Sequence, residues 1–207
     1  MRTYGFELVR DQQIAELNSR ACIWRHIQTG AELLSMENDD ENKAFGIVFR
    51  TPPPDATGLP HILEHTVLGG SRNYPVKNPL DELLKGSLAT WINALTFPDK
   101  TGYIAASQNV VDLYNLANVF LDATFYPLLR PEAFKREGWH IELNSLDDSL
   151  ALNGRVLNEQ RGNFAAVTRL IEHHSQMPLF PDTPYGVNRG GDPAQIPNLT
   201  YERLMAY

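Results

Sequence analysis

The chain has 207 residues, 43% of them hydrophobic, and its 14 glycines bring the apolar share to about half, an ordinary globular composition. The 18 Lys and Arg against 25 Asp and Glu leave a formal charge of −7, with the basic residues scattered, which excludes a protein that tracks a nucleic-acid backbone. Disorder, collagen and coiled coil are excluded as well, and the length allows one large domain or two small ones that need neither disulfide nor metal merely to fold.

Met1 is followed by Arg-Thr-Tyr-Gly-Phe-Glu and then a polar stretch, which is neither the apolar run of a secretory signal nor an Arg/Ser-rich transit segment, so no export is expected. The most apolar stretch, Leu116 to Leu129, contains Asn118, Asp122 and Pro127 and falls short of the roughly 20 clean residues of a membrane span. Neither a membrane nor nucleic acid is an expected partner. Cys22 is the single cysteine, so any metal site must be built from His and carboxylates.

In chain order, residues 20 to 37 read as a β-hairpin, Cys22 to Ile27 and Ala31 to Met36, turning at Thr29-Gly30 where Gly30 supplies a positive φ. Phe45 to Phe49 is a third strand, ended by three prolines, and is expected to continue an antiparallel meander. A helix is predicted from Thr57, which can cap it, with Pro60 in the first turn and Gly69-Gly70 at its end. A second follows Asn78-Pro79, with Asp81 and Glu82 in the first turn and Leu80, Leu83 and Leu84 as its buried face. Trp91 to Phe97 and Tyr103 to Ser107 form a second strand pair around a turn-like Pro98 to Gly102.

The clearest helix follows Asn109, where Leu113, Leu116, Ala117, Phe120, Leu121 and Thr124 make one apolar stripe, and Pro127 ends it. Trp139 to Leu143 reads as a short strand and Arg155 to about Ile171 as one further helix. Thr200 can cap a last helix over 201–207, which stops with neither Gly nor a polar tail. The expectation is a chain cut within a helix, a fragment of a longer protein. Strands in hairpins with helices between them favour an α+β fold, an antiparallel sheet with helices on one face.

His61-Ile62-Leu63-Glu64-His65 carries the chemistry. On a helix, residues i and i+4 project from one face, so both imidazoles can reach a single ion while Glu64 faces the same cavity. Zinc is the expected ion, because its catalytic sites use three protein ligands from His and carboxylate and keep a fourth position for water. Spacing alone does not choose the third ligand among Glu137, Glu142, Glu159 and Glu172.

The run from His61 through Thr66-Val67-Leu68-Gly69-Gly70-Ser71-Arg72-Asn73-Tyr74-Pro75-Val76-Lys77 resembles the pitrilysin-type (M16, inverzincin) metallopeptidases, in the presequence protease and falcilysin branch. Leu84 to Leu88, Asn93 to Asp99, Tyr114 to Leu116, Glu137 to His140, Tyr185-Gly186 and Gly190 to Pro193 extend the likeness over nearly the whole chain. The resemblance implies that Glu159, within Asn158-Glu159-Gln160, is the third ligand, with Gln160 standing where relatives often carry Met. Glu142 and Glu172 become ordinary surface or supporting acids, and Glu137 a structural partner near the Trp139 strand.

The implied activity is zinc-dependent endoproteolysis of short unstructured peptides, of the kind that degrades presequences and oligopeptides. Zinc lowers the pKa of water to about 7 and Glu64 takes its proton, then passes it to the leaving amine. Asn93 and Ala94 match the strand edge to which similar proteins add the substrate as a further β-strand, which recognises extended backbone with little sequence demand. His173 and His174 are adjacent on a helix, point apart and read as surface histidines. His140 reads as a sheet-face histidine and Gly190-Gly191-Asp192 as a turn.

The resemblance further implies that residues 1–207 are one N-terminal catalytic domain, closed by a homologous C-terminal half of the same longer chain. The alternative is a non-catalytic partner or chamber-wall half of the same fold, which in such families tends to lack the motif retained here. The expected compartment is a bacterial-type cytoplasm, or an organelle matrix if a targeting segment was removed.

Overall fold

The computed structural model describes residues 2–143 and 145–207, which fall into two compact units, 1–41 and 42–207. The first unit is a four-stranded antiparallel sheet in the order β1-β2-β3-β4, made of β1 (Arg2–Thr3), β2 (Phe6–Ile14), β3 (Ser19–His26) and β4 (Glu32–Glu37). The expected hairpin is β3-β4, with Cys22 opposite Ser35 and Trp24 opposite Leu33. Gly30 turns it at φ +74, and its N–H donates to the His26 carbonyl at 2.8 Å. The sequence reading did not find β2, whose residues are mostly half-buried or exposed and so lack a clear apolar alternation.

The second unit holds β5 (Lys43–Arg50), α1 (Leu59–Val67), α2 (Pro79–Leu84), β6 (Ala89–Thr96), β7 (Lys100–Ser107), α3 (Val110–Phe125) and α4 (Pro131–Glu137). After these come β8 (His140–Glu142), β9 (Ala151–Asn153), α5 (Arg155–Ala165), α6 (Val167–Leu179) and α7 (Tyr201–Ala206). Its main sheet runs β5-β7-β6, all antiparallel, and β8 pairs with β9. β5 therefore does not continue the first meander. It pairs with β7, Phe45 opposite Ala105 and Phe49 opposite Thr101, because its alternating Phe45, Ile47 and Phe49 belong to the core under α3.

That core joins Val67 of α1, Tyr103 and Ala105 of β7, and Leu116, Phe120 and Ala123 of α3. The α+β expectation thus holds, with α1 and α3 packed on this apolar face of the sheet. Asn109 caps α3 by accepting from the Asp112 N–H, as its position in the sequence predicts. A second core gathers Leu59 and Ile62 of α1, Phe134 of α4, Val156 and Leu157 of α5, Ile196, Leu199 and Leu204. Each such side chain contributes about 1.5–3 kcal/mol when fully buried.

α1 is therefore held from two sides. Leu59 and Ile62 enter one core, Val67 enters the other, and Leu63 packs against both.

Three local expectations change. Thr57 does not cap α1, because its N–H and hydroxyl both turn back to the Asp55 carboxylate, and the cap position is Gly58 at φ +71. Leu84 is not on the buried face of α2: it is 37% exposed, while Leu80 and Leu83 meet the core. The single helix expected over Arg155 to Ile171 is two, α5 and α6, broken at Ala166, whose ψ of 119° is extended.

Candidate metal centre

The two packing faces of α1 leave its third face to a cavity of about 670 Å³ in the second unit, lined by His61, Glu64 and His65. His61 and Glu64 are buried, and the His65 side chain is 19% exposed. α5 approaches across the second core. Its Val156, Leu157 and Gln160 point inward, which turns the neighbouring Glu159 to the cavity.

Glu159 Oε2 lies 3.7 Å from His61 Nε2 and 3.9 Å from His65 Nε2. One ligand atom from each of the three residues falls within 4.8 Å of the others, and this is the only such His/Cys/Asp/Glu group among the described residues. Tetrahedral ligands with bonds of ~2.0–2.1 Å stand about 3.3 Å apart, so a small inward movement closes this set on one ion.

The outer nitrogens fix which atoms could face an ion. His61 Nδ1 lies 3.1 Å from the Gly190 carbonyl oxygen, which can only accept, so Nδ1 carries the proton and Nε2 keeps its lone pair. His65 Nδ1 in the same way donates to Glu137 Oε2 at 3.3 Å. Glu137, only 3% exposed, also takes the Arg136 Nε–H at 2.7 Å and has Arg155 Nη1 at 3.6 Å from its Oε2. Burial alone would raise its carboxyl, but the hydrogen bonds from His65 and Arg136 outweigh that and hold it below the ordinary range.

Glu137 is thus the carboxylate behind His65 rather than only a partner of the Trp139 strand, and Gly190 is more than a turn. Neither role has a sequence signal of its own. The close fit around Gly190 explains its residue type: a Cβ there would stand 2.7 Å from the Gln160 side-chain amide, and one at Gly58 would stand 2.8 Å from the Gly190 oxygen.

Glu64 Oε2 accepts from Thr96 Oγ1 at 2.6 Å, and its other oxygen has no hydrogen-bond partner among the described residues. Burial, and then the negative charge of Glu64, push the Tyr103 hydroxyl of β7 well up, so it stays protonated beside the carboxylate. Asn93 and Ala94 of β6 line the same cavity, on a strand that among the described residues has only β7 as a neighbour. The Ala94 N–H donates to Asn93 Oδ1 at 3.0 Å.

The remaining candidates fall elsewhere. Glu142 accepts from Asn153 between β8 and β9, and His140 Nδ1 donates to the Lys135 carbonyl. Glu172 is paired with Arg169 at 2.9 Å. His174 is exposed, but His173 is half-buried against Phe164 and lines the cavity, and burial and the adjacent His174 lower its pKa.

Comparison with known proteins places these features. The insulinase (peptidase family M16) model matches residues 50–165, more than half the chain and all four residues His61, Glu64, His65 and Glu159. Presequence protease 1, chloroplastic/mitochondrial, of Arabidopsis thaliana is 50% identical over 205 residues, 98% of this chain and 19% of its own length. The mitochondrial presequence protease of Mus musculus is 42% identical, covering 100% of this chain and 20% of its own. Protein HypA of Clostridium perfringens is 44% identical, with 98% and 21% covered. The chain thus spans about a fifth of the length of these relatives. The crystal structure of pitrilysin shares the fold, with a TM-score of 0.67 at 19% identity over 99% of this chain and 21% of that one. Among the described residues no helix is long and apolar enough to cross a membrane.

Proposed function

Because the chain belongs to the insulinase family of peptidases, peptidase family M16, we propose that it is the zinc-binding part of a metalloendopeptidase that cleaves unstructured peptides. The observation that carries this reading is the convergence of His61 Nε2, His65 Nε2 and Glu159 Oε2 with both outer imidazole nitrogens already engaged. That donor set suits zinc, and these three residues would hold it. When bound, the ion supplies Lewis acidity for the scissile carbonyl and for ionising water near neutral pH.

The protein's own groups do the rest. Glu64, anchored through one oxygen by Thr96, receives the proton of the attacking water on the other and returns it to the leaving amine. Gly190 and Glu137 hold the two imidazoles in the tautomer that keeps Nε2 available. β6 presents its open edge through Asn93 and Ala94, so an extended peptide adds as a fourth strand and folded proteins are excluded.

Residues 1–207 are, in this proposal, the N-terminal catalytic domain of a longer peptidase whose homologous C-terminal half completes a closed chamber. Relatives of about five times the length support this. The expected bacterial-type cytoplasmic location belongs to the proposal too, with an organelle matrix as the alternative, since two of the compared relatives are named for mitochondria or chloroplasts. The test is Glu64→Gln in the full-length protein: zinc retained with peptide hydrolysis lost supports the assignment, and zinc retained with turnover unchanged refutes it.

A further inference from the structure

Three arginines line the cavity, Arg155, Arg169 and Arg189. Two of them face carboxylates of the protein itself. Arg155 Nη1 stands 3.6 Å from Glu137 Oε2, and Arg169 Nη1 stands 2.9 Å from Glu172 Oε2. Arg189 is exposed and, among the described residues, has no ion-pair or hydrogen-bond partner for its guanidinium.

Its backbone, by contrast, is fixed on both sides. Asn188 Oδ1 accepts from the Gly190 N–H at 3.0 Å, the Asn188 carbonyl accepts from the Gly191 N–H at 3.1 Å, and Asp192 N–H donates to the Ala56 carbonyl at 2.8 Å. The next residue, Gly190, contacts His61. From the Gly190 oxygen it is 3.1 Å to Nδ1, and the ring plus a metal bond of ~2 Å put the reacting centre about 7 Å away. That is about two residues of extended chain. A charged arm rooted there reaches peptide side chains close to the scissile bond.

The cavity's carboxylates do not compete for it in this structure: Glu137 and Glu172 are paired, Glu64 is held by Thr96, Asp81 accepts from Asn78, and Glu159 faces the imidazoles. Resting on the peptidase reading above, we infer that Arg189 is a specificity-determining residue that binds a peptide carboxylate within about three residues of the scissile bond. The carboxylate is that of an acidic side chain or of the peptide's own C-terminus. The guanidinium fork donates two N–H bonds to it, a planar geometry that Lys does not reproduce.

The test uses the full-length, zinc-loaded protein carrying Glu64→Gln, so that binding is read without turnover. Fluorescent peptides differing only in Glu or Gln are compared at each of three positions on either side of the cleavage point, each with a free or amidated C-terminus. Cleavage points come from mass spectrometry of peptides digested by the wild type. Failure of the wild type to cleave any peptide sinks the peptidase reading, and the binding comparison, run on the same peptides with the acidic residue walked along their length, still decides the role of Arg189.

The expected result is binding about fivefold tighter for the carboxylate peptide at one or two adjacent positions, the upper end for a solvent-exposed ion pair, weakening with added salt. Arg189→Gln should remove that ratio, and Arg189→Glu should transfer the preference to Lys at the same position. A preference that follows C-terminal amidation instead identifies the peptide terminus as the source. Equal binding of Glu, Gln and amidated peptides, or a preference that survives in Arg189→Gln, overturns the inference. Zinc content and melting temperature of each variant report its folding, and Arg189→Lys, which keeps the charge, should retain part of the ratio.

Discussion

Replacing Glu137 with Gln separates a role in the metal site from a role in the fold alone. The substitution keeps shape and removes the charge that receives the His65 Nδ1–H at 3.3 Å and the Arg136 Nε–H at 2.7 Å. Carboxylates behind a ligating histidine typically contribute 10–100-fold to metal affinity. The His65 bond is longer than the ~2.7–2.9 Å of a strong charge-assisted pair, which places the expected loss near the lower end, about tenfold or ~1.4 kcal/mol.

Arg136 is left facing a neutral amide. Its side chain is 30% exposed and so remains partly solvated, and the cost to the metal-free fold should be about 1–2 kcal/mol rather than the full penalty of a buried unpaired charge. Zinc affinity is measured by competition with a chromophoric chelator, and stability by urea unfolding of the metal-free protein. A folded Glu137→Gln protein whose zinc affinity lies within twofold of the wild type would refute the reasoning and leave Glu137 as a partner of Arg136 only.

Three other outcomes follow from the same structure. Glu64→Gln should retain zinc and lose at least ~10²-fold in kcat, measured on a quenched peptide, because the group that moves the proton is gone while Thr96 still has an acceptor. Ala94→Pro should raise KM with zinc content unchanged, since it removes the main-chain donor, now turned to Asn93 Oδ1, that an added strand would take over; an unchanged KM would remove strand addition from the account. Burial alone would raise the Asp122 carboxyl, but the Ser71 hydroxyl beside it, the Asn73 amide donors and the Arg72 charge hold it below its ordinary 3.8. Its contribution is therefore present above that value and is lost as the pH falls through the lower folded value. Asp122→Asn should cost about 1–3 kcal/mol at pH 7 and flatten the stability profile below about pH 4, as read by denaturant unfolding across pH.

What the sequence made legible was local. The i, i+4 spacing of His61 and His65, the Asn109 cap and the Gly30 corner each depend on neighbours within a turn or two and appear as read, while the stripe of α3 is buried at Leu116, Ala117 and Phe120 but extends to Val119 and Ala123 rather than fully to Leu113, Leu121 and Thr124. Pairings decided at a distance were not legible. β5 reads as a continuation of the β3-β4 hairpin until its apolar alternation meets β7 more than fifty residues later. The break at Ala166 carries neither Gly nor Pro, and Thr57 leaves the cap position to Gly58 because its hydroxyl is engaged by Asp55 two residues away.

The site divides in the same way. Its candidate ligands His61 and His65 sit in a recognisable motif, with Glu159 reached through family resemblance rather than spacing. The groups that orient them do not. Gly190 stands 129 positions from His61 and Glu137 stands 72 from His65, and each acts through whatever surface packing brings to an outer imidazole nitrogen. β2, with its mixed Phe-Glu-Leu-Val-Arg-Asp-Gln-Gln-Ile run, shows the same limit for a sheet with little burial to write into its pattern.

The most direct test of the central claim is the zinc content of the purified protein by elemental mass spectrometry, wild type beside Glu159→Ala. The wild type should hold one zinc per chain, and the variant's site should be weakened enough to lose its metal to a mild chelator. A folded wild type that takes up no zinc, or a Glu159→Ala protein that holds it as tightly as the wild type, would contradict it.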